Sequence, residues 1–262
     1  MGLPRHIRRT LREAQPQNRD LGIVTILAFD TATPATTVAL SGVGGVVFTA
    51  RHDPLPGERP GHATRLLPLV ARVMERAGIG WDGVDRIAVG VGPGTFTGLR
   101  IGIATARALA RGREIPLVGV STLQSLALAR PRADDVPAGL DSVLAVLDAR
   151  RGEVFAAGWR MEEANEFDNA LLPPRALAPE ALADLVTPLG PATLAIGDGA
   201  IAFREVLERS GSFIPEDDSP LHKVTATNHC RLADRLEGGV PDEVRPEYLR
   251  APDAEIAAQR TP

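Results

Sequence analysis

Two apolar runs that each end in an acid constrain this chain more than any other feature. Ile26-Leu27-Ala28-Phe29-Asp30 is matched by Leu144-Ala145-Val146-Leu147-Asp148, and a turn and a further strand pattern follow each. A second pair recurs in the same order: Ile87–Gly92 (IAVGVG) and Leu194–Gly199 (LAIGDG), each leading into a helical pattern. Apolar runs of this length read as strands buried on both faces. One such match is cheap, because apolar strands resemble one another. Two matches in one order read as a duplicated α/β unit.

The remaining periodicities fill in the two halves. Strands are expected at 23–30, 36–41, 45–51, 86–91 and 116–120. A helix is expected over 61–77, with Leu66, Leu69, Val70, Val73, Met74 and Ala77 on one face. A second helix is expected over 97–112, and Ser121 is placed to cap a third that runs to Ala129. In the second half, strands are expected at 143–148, 153–159 and 194–197. Helices are expected at 179–186, 198–209 and 227–236. The domain expectation is a disordered basic extension over 1–22, a first lobe over 23–130, a second lobe over 131–250 and a flexible tail over 251–262.

Composition narrows the function classes. Aromatic residues are 4% of the 262, so the core is built from Ala, Val, Leu and Ile. The formal net charge is −4, which argues against strong independent binding to nucleic acid, where Lys and Arg must neutralise phosphates. The single cysteine, Cys230, allows neither an internal disulfide nor a thiolate cluster and fits a reducing cytoplasm. No run of about 18 apolar residues suggests a membrane span. Arg8-Arg9 lacks the apolar region that an export signal requires.

Three motifs bear on chemistry. Asp30-Thr31-Ala32-Thr33 has the form of a phosphate-contacting turn, but Ala32 stands where a glycine is needed for backbone to approach a phosphate. A turn-capping role for the acid is the stronger reading. Gly90-Val91-Gly92-Pro93-Gly94-Thr95-Phe96-Thr97-Gly98-Leu99-Arg100 lies between a strand and a helix, where N–H groups can face an anion. A Walker loop needs Lys and Ser or Thr after its last glycine, and here Leu99-Arg100 follow. Between Gly98 and Ala110 only Arg100, Thr105 and Arg107 are polar, so this helix is buried on more than one side. Arg100, Arg107 and Arg111 form a narrow stripe, either a solvated edge or the border of a partner surface. The candidate interface comprises Leu67, Val70 and Met74 on the first helix and Arg100, Ile103 and Arg107 on the second.

The five histidines include no pair at metal-ligand spacing. His62, at a helix start, reads as a surface or capping residue, and Cys230 as an inert, partly buried thiol. No Gly-x-Ser-x-Gly elbow occurs.

The assembled segments resemble the TsaB (YeaZ) family. They are ILAFDTATPATTVAL (26–40), His62–Val70, VGVGPGTFTGLRIGIATARALA (89–110), PLVGVSTLQSLA (116–127) and VLAVLDARRGEVF (143–155), with a weaker match near Arg245–Arg250. The resemblance implies a duplicated, two-lobed actin-like (ASKHA, ribonuclease H-like) fold without catalytic, cofactor-binding or metal residues of its own. It implies a cytoplasmic subunit that binds and activates the related transferase TsaD, with the ATPase TsaE, to threonylcarbamoylate the adenosine beside the anticodon of tRNA. Contact with tRNA would come only through that complex, and a homodimer is implied where TsaD is absent. TsaD carries an HxxxH metal pair; Thr122 and Leu126 stand at those positions here. The alternative from another class is an actin-like-fold small-molecule kinase or ATPase, which Ala32 and the missing phosphate loop disfavour. A metalloprotease fails for want of ligands.

Overall fold

A computed structural model describes residues 24–129, 131, 136–164 and 169–250. The expected extension at 1–22 and tail at 251–262 lie outside the described residues. The first elements are β1 Ile26–Asp30, β2 Thr36–Val43, β3 Val46–His52, α1 His62–Ala77, β4 Arg86–Gly92, α2 Phe96–Arg113, β5 Leu117–Ser121 and α3 Thr122–Ala127. There follow β6 Ser142–Arg150, β7 Glu153–Arg160, β8 Ala170–Leu177, α4 Pro179–Val186, β9 Thr193–Ile196, α5 Asp198–Ala202, α6 Arg204–Arg209 and α7 Ala226–Asp234.

The chain divides into two units. In the first, a five-stranded sheet has the order β3-β2-β1-β4-β5. Central β1 is buried at every residue, runs antiparallel to β2 and parallel to β4. Alternation along it sends Leu27 and Phe29 into a core with Leu66, Val70 and Val73 of α1 and Ile103 and Ala106 of α2. Ala28 and Asp30 point the other way, where α7 packs on β1 and β2. Burial of these aliphatic side chains, about 1.5–3 kcal/mol each, is the main stabilising term.

The second unit repeats the scheme with four strands, β8-β7-β6-β9. Its β6 is antiparallel to β7 and parallel to β9, as β1 is to β2 and β4. Both pairs of matched segments are therefore equivalent strands of a duplicated actin-like topology.

Three expectations are corrected. The expected lobes over 23–130 and 131–250 are redrawn, because the second unit begins at Ser121 and Thr225–Pro246 belongs to the first unit, with α7 lying on its sheet. Arg86 fixes that return by donating to the carbonyls of Ala233 and Leu236 at the end of α7. Strand β8, Ala170–Leu177, is an addition to the expected elements and contains Pro173-Pro174. It is an edge strand, and the two prolines form a bulge opposite Ala157, where no ladder donor is required. The single helix over 198–209 is two, broken at Phe203, whose φ of −121° is not helical.

Candidate functional site

The turn after β1 and the glycine string after β4 meet in the first unit. Asp30 has no solvent exposure, and its Oδ1 accepts the Ala32 N–H at 2.7 Å, closing the turn. The Thr31 hydroxyl donates to the Gly98 carbonyl at 2.7 Å, and the Thr95 N–H donates to the Ala32 carbonyl at 2.7 Å. The glycines exist for this contact. A Cβ on Gly98 would stand 2.0 Å from the Thr31 carbonyl oxygen, and one on Gly94 would stand 2.5 Å from that of Ala32.

The other Asp30 oxygen faces α7. His229 Nε2 lies 2.9 Å from Oδ2, and both side chains are fully buried. His229 Nδ1 is 3.1 Å from the Thr225 carbonyl, which can only accept, so Nδ1 carries a proton. Gly90 makes room for the pair, since a Cβ there would lie 1.8 Å from Oδ2. No sequence signal linked Asp30 to His229.

Two further buried titratable side chains lie in this unit. His62 is buried, contrary to its reading as a surface residue, and its Nδ1 lies 2.8 Å from the Thr36 hydroxyl. Burial lowers its pKa below the ordinary 6.5, outweighing the upward pull of Asp30, and His52 lowers it further. Cys230 is more deeply buried than expected, and burial pushes its pKa up to about 12.

The six candidate interface residues separate by burial. Val70, Met74 and Ile103 lie in the core of their own unit, because each falls on the helix face turned to the sheet. They are not surface residues. Leu67 is 50% exposed and Arg100 is exposed, its guanidinium 3.7 Å from the centre of the Phe96 ring. Arg107 turns to the chain's own C-terminal segment, its Nε donating to the Val244 carbonyl at 3.0 Å and an Nη to the Asp242 carbonyl at 3.2 Å. Arg111 pairs with the Asp242 carboxylate. That segment also bridges β5 through Gly239 and Leu117. Leu67, Pro68, Ala71 and Arg72 on α1 and Phe96, Arg100, Ala104 and Ala108 on α2 are among the exposed residues of the two helices.

The corresponding place in the second unit is built differently. Asp198 Oδ1 accepts the Asp148 N–H at 3.0 Å, and burial raises the Asp198 pKa. Arg150 pairs with Asp148 at 3.1 Å. Gly197 approaches β6 so closely that a Cβ would stand 2.0 Å from the Val146 carbonyl oxygen. In α3, Thr122 and Leu126 are wholly buried. Among the described residues no three His, Cys, Asp or Glu side chains converge as metal ligands.

A family model described as TsaD, tRNA N6-adenosine threonylcarbamoyltransferase, matches residues 58–237. The Escherichia coli (strain K12) tRNA threonylcarbamoyladenosine biosynthesis protein TsaB is 37% identical over 227 residues, covering 86% of this chain and 94% of that protein. This chain belongs to the TsaB (YeaZ) family. A YeaZ structure from Pseudomonas aeruginosa superposes with a TM-score of 0.70 at 30% identity, covering 86% of this chain and all of that one. An uncharacterized Mycobacterium tuberculosis (strain H37Rv) protein is 33% identical over 251 residues, 90% of this chain and 96% of its own. The TsaB match covers 86% of the chain, so α1 and α2 lie in the region shared with that protein.

Proposed function

We propose that this chain is the non-catalytic subunit that binds and activates the TsaD transferase for threonylcarbamoylation of the adenosine next to the anticodon in tRNA. The observation that carries the reading is the state of Asp30. The acid that would orient a metal-bound water in an actin-like ATPase is sealed from solvent, held by the Ala32 N–H and faced by His229. Thr122 and Leu126, which stand where TsaD carries its metal pair, offer no imidazole. Chemistry is therefore assigned to the partner.

The pairing surface is the outward face of α1 and α2. Alanines at 71, 104 and 108 allow close approach of partner helices, and Leu67 supplies an apolar anchor. Burial of about 800 Å² per side would make the pairing stable. TsaE joins as the ATPase of the complex, tRNA is met only through the complex, and the setting is the cytoplasm. Without TsaD the same face supports a homodimer. No helix among the described residues is long and apolar enough to cross a membrane. The kinase or ATPase alternative has no observation in its favour.

Leu67→Asp tests the surface, because this residue is exposed in its own unit. Binding to TsaD, measured by titration calorimetry, should weaken by about 2 kcal/mol or more while the thermal melt stays unchanged. Undiminished binding would remove α1 from the interface, and ATP turnover by the isolated chain would favour the alternative.

A further inference from the structure

The fold brings together two histidines that no sequence spacing links. His52 ends β3 and is paired in register with Thr36 of β2, so their side chains stand side by side on one face of the sheet. That is the face on which α1 packs. His62 opens α1, and its Nδ1 lies 2.8 Å from the Thr36 hydroxyl. His52 is near enough to His62 to lower its pKa. Among the described residues, His62 Nε2 and His52 Nδ1 are both sealed from solvent without a hydrogen-bond partner. Buried polar atoms are rarely left so, and each such atom calls for a water or an ion.

From this juxtaposition we infer that His52 Nδ1 and His62 Nε2 are two ligands of a site for a divalent transition-metal ion of the zinc class, with Thr36 as the positioning residue. Imidazole nitrogen suits zinc, copper and nickel, and a ligating histidine gives its other ring N–H to an acceptor that fixes its tautomer. The Thr36 hydroxyl stands where that acceptor is needed, which leaves the ring's lone pair on Nε2. Burial disfavours the protonated form of His62, and the neutral ring is the one that binds metal. The positive end of the helix opposes a cation here, and the charge of Asp30, which acts on His62, opposes the helix in turn. No third His, Cys, Asp or Glu converges among the described residues, so water completes the coordination. The ion would clip the end of β3 to the start of α1 across the loop between them.

Cobalt(II) and zinc(II) are the probes, added to the full chain after dialysis against a chelator. Cobalt should give the visible bands of a nitrogen-ligated ion, zinc should bleach them, and zinc should raise the melting temperature. By titration calorimetry, Thr36→Val should weaken zinc binding about tenfold or more, and His52→Gln and His62→Gln should weaken it further. His6→Gln should leave it unchanged. Circular dichroism checks the fold of each variant; if His62→Gln does not fold, the spectrum of the unaltered chain and the His52→Gln titration decide. Absence of both the cobalt bands and the zinc-dependent shift would overturn the inference in favour of a buried water. Stabilisation by inorganic phosphate and not by zinc would overturn it in favour of an anion at the helix start. Zinc bound equally well by His52→Gln, or lost in His6→Gln, would overturn it by showing an adventitious ion only.

Discussion

The two sheets share one topology and use its central turn in opposite ways. In the first, the acid ending the central strand is wholly buried, held by its own turn and faced by a histidine from the returning C-terminal helix. In the second, the matching Asp148 is 22% exposed, and its carboxylate pairs with Arg150, a surface side chain. What the halves share is a glycine pressed against a main-chain carbonyl oxygen beyond the parallel strand, Gly98 in one and Gly197 in the other. Backbone crossing is thus the conserved constraint of the duplication. The fate of the acid is free to diverge.

The crossing constraint gives the largest expected effects. Gly98→Ala and Gly197→Ala each place a Cβ 2.0 Å from a main-chain oxygen, and Gly197 also has a φ of +116°. Neither conflict can be relieved by a rotamer. Both variants should fail to yield folded protein, judged by circular dichroism; normal folding of either would break the equivalence of the halves.

The acids should respond unequally. Asp30→Ala leaves the buried Ala32 N–H and the buried His229 ring without the carboxylate that faces them and should cost about 2–3 kcal/mol or more in urea denaturation. Asp148→Asn removes a partly exposed pair and should cost less than about 1 kcal/mol. Equal losses would mean that the first acid is not held as described. Replacing both Asp30 and His229 by apolar residues should recover much of the single-variant loss, because removing a buried pair whole is far cheaper than breaking it.

A smaller effect concerns pH. The His62 pKa is lowered in the folded state by burial, so near pH 6 the unfolded chain binds more protons than the native one. The stability held by neutral His62 is complete above its ordinary 6.5 and is lost as pH falls through the lowered value. Urea midpoints between about pH 7.5 and about pH 5 should therefore fall less steeply for His62→Gln than for the unaltered chain. Parallel slopes would show that His62 does not titrate in this way.

Much of the fold was legible because its signals are local. Apolar runs ending in Asp30 and Asp148 marked the central strands, and the spacing of Leu66, Val70 and Val73 marked the core face of α1. The edge strand β8 was hidden because its signal is positional: prolines are tolerated only where no ladder hydrogen bond is needed, and sequence does not say which strand is outermost. The site was less legible for a related reason. Helical spacing finds one apolar stripe but does not tell inward from outward flank, so Val70, Met74 and Ile103 were grouped with Leu67. Arg107 looked like part of a free basic stripe because its acceptor, the Val244 carbonyl, lies far along the chain. The Asp30–His229 pair joins residues just as distant, and only the sheet brings them together.

Division of labour with TsaD is tested most directly by tRNA modification in three reactions: TsaD with TsaE, the same pair with this chain, and this chain without TsaD. Each is supplied with threonylcarbamoyl donor, ATP and unmodified tRNA. A large rise in threonylcarbamoyladenosine on adding the chain to TsaD and TsaE, with none formed in the third reaction, is the expected result. Product formed without TsaD, or no change on adding the chain, would contradict a non-catalytic activating role.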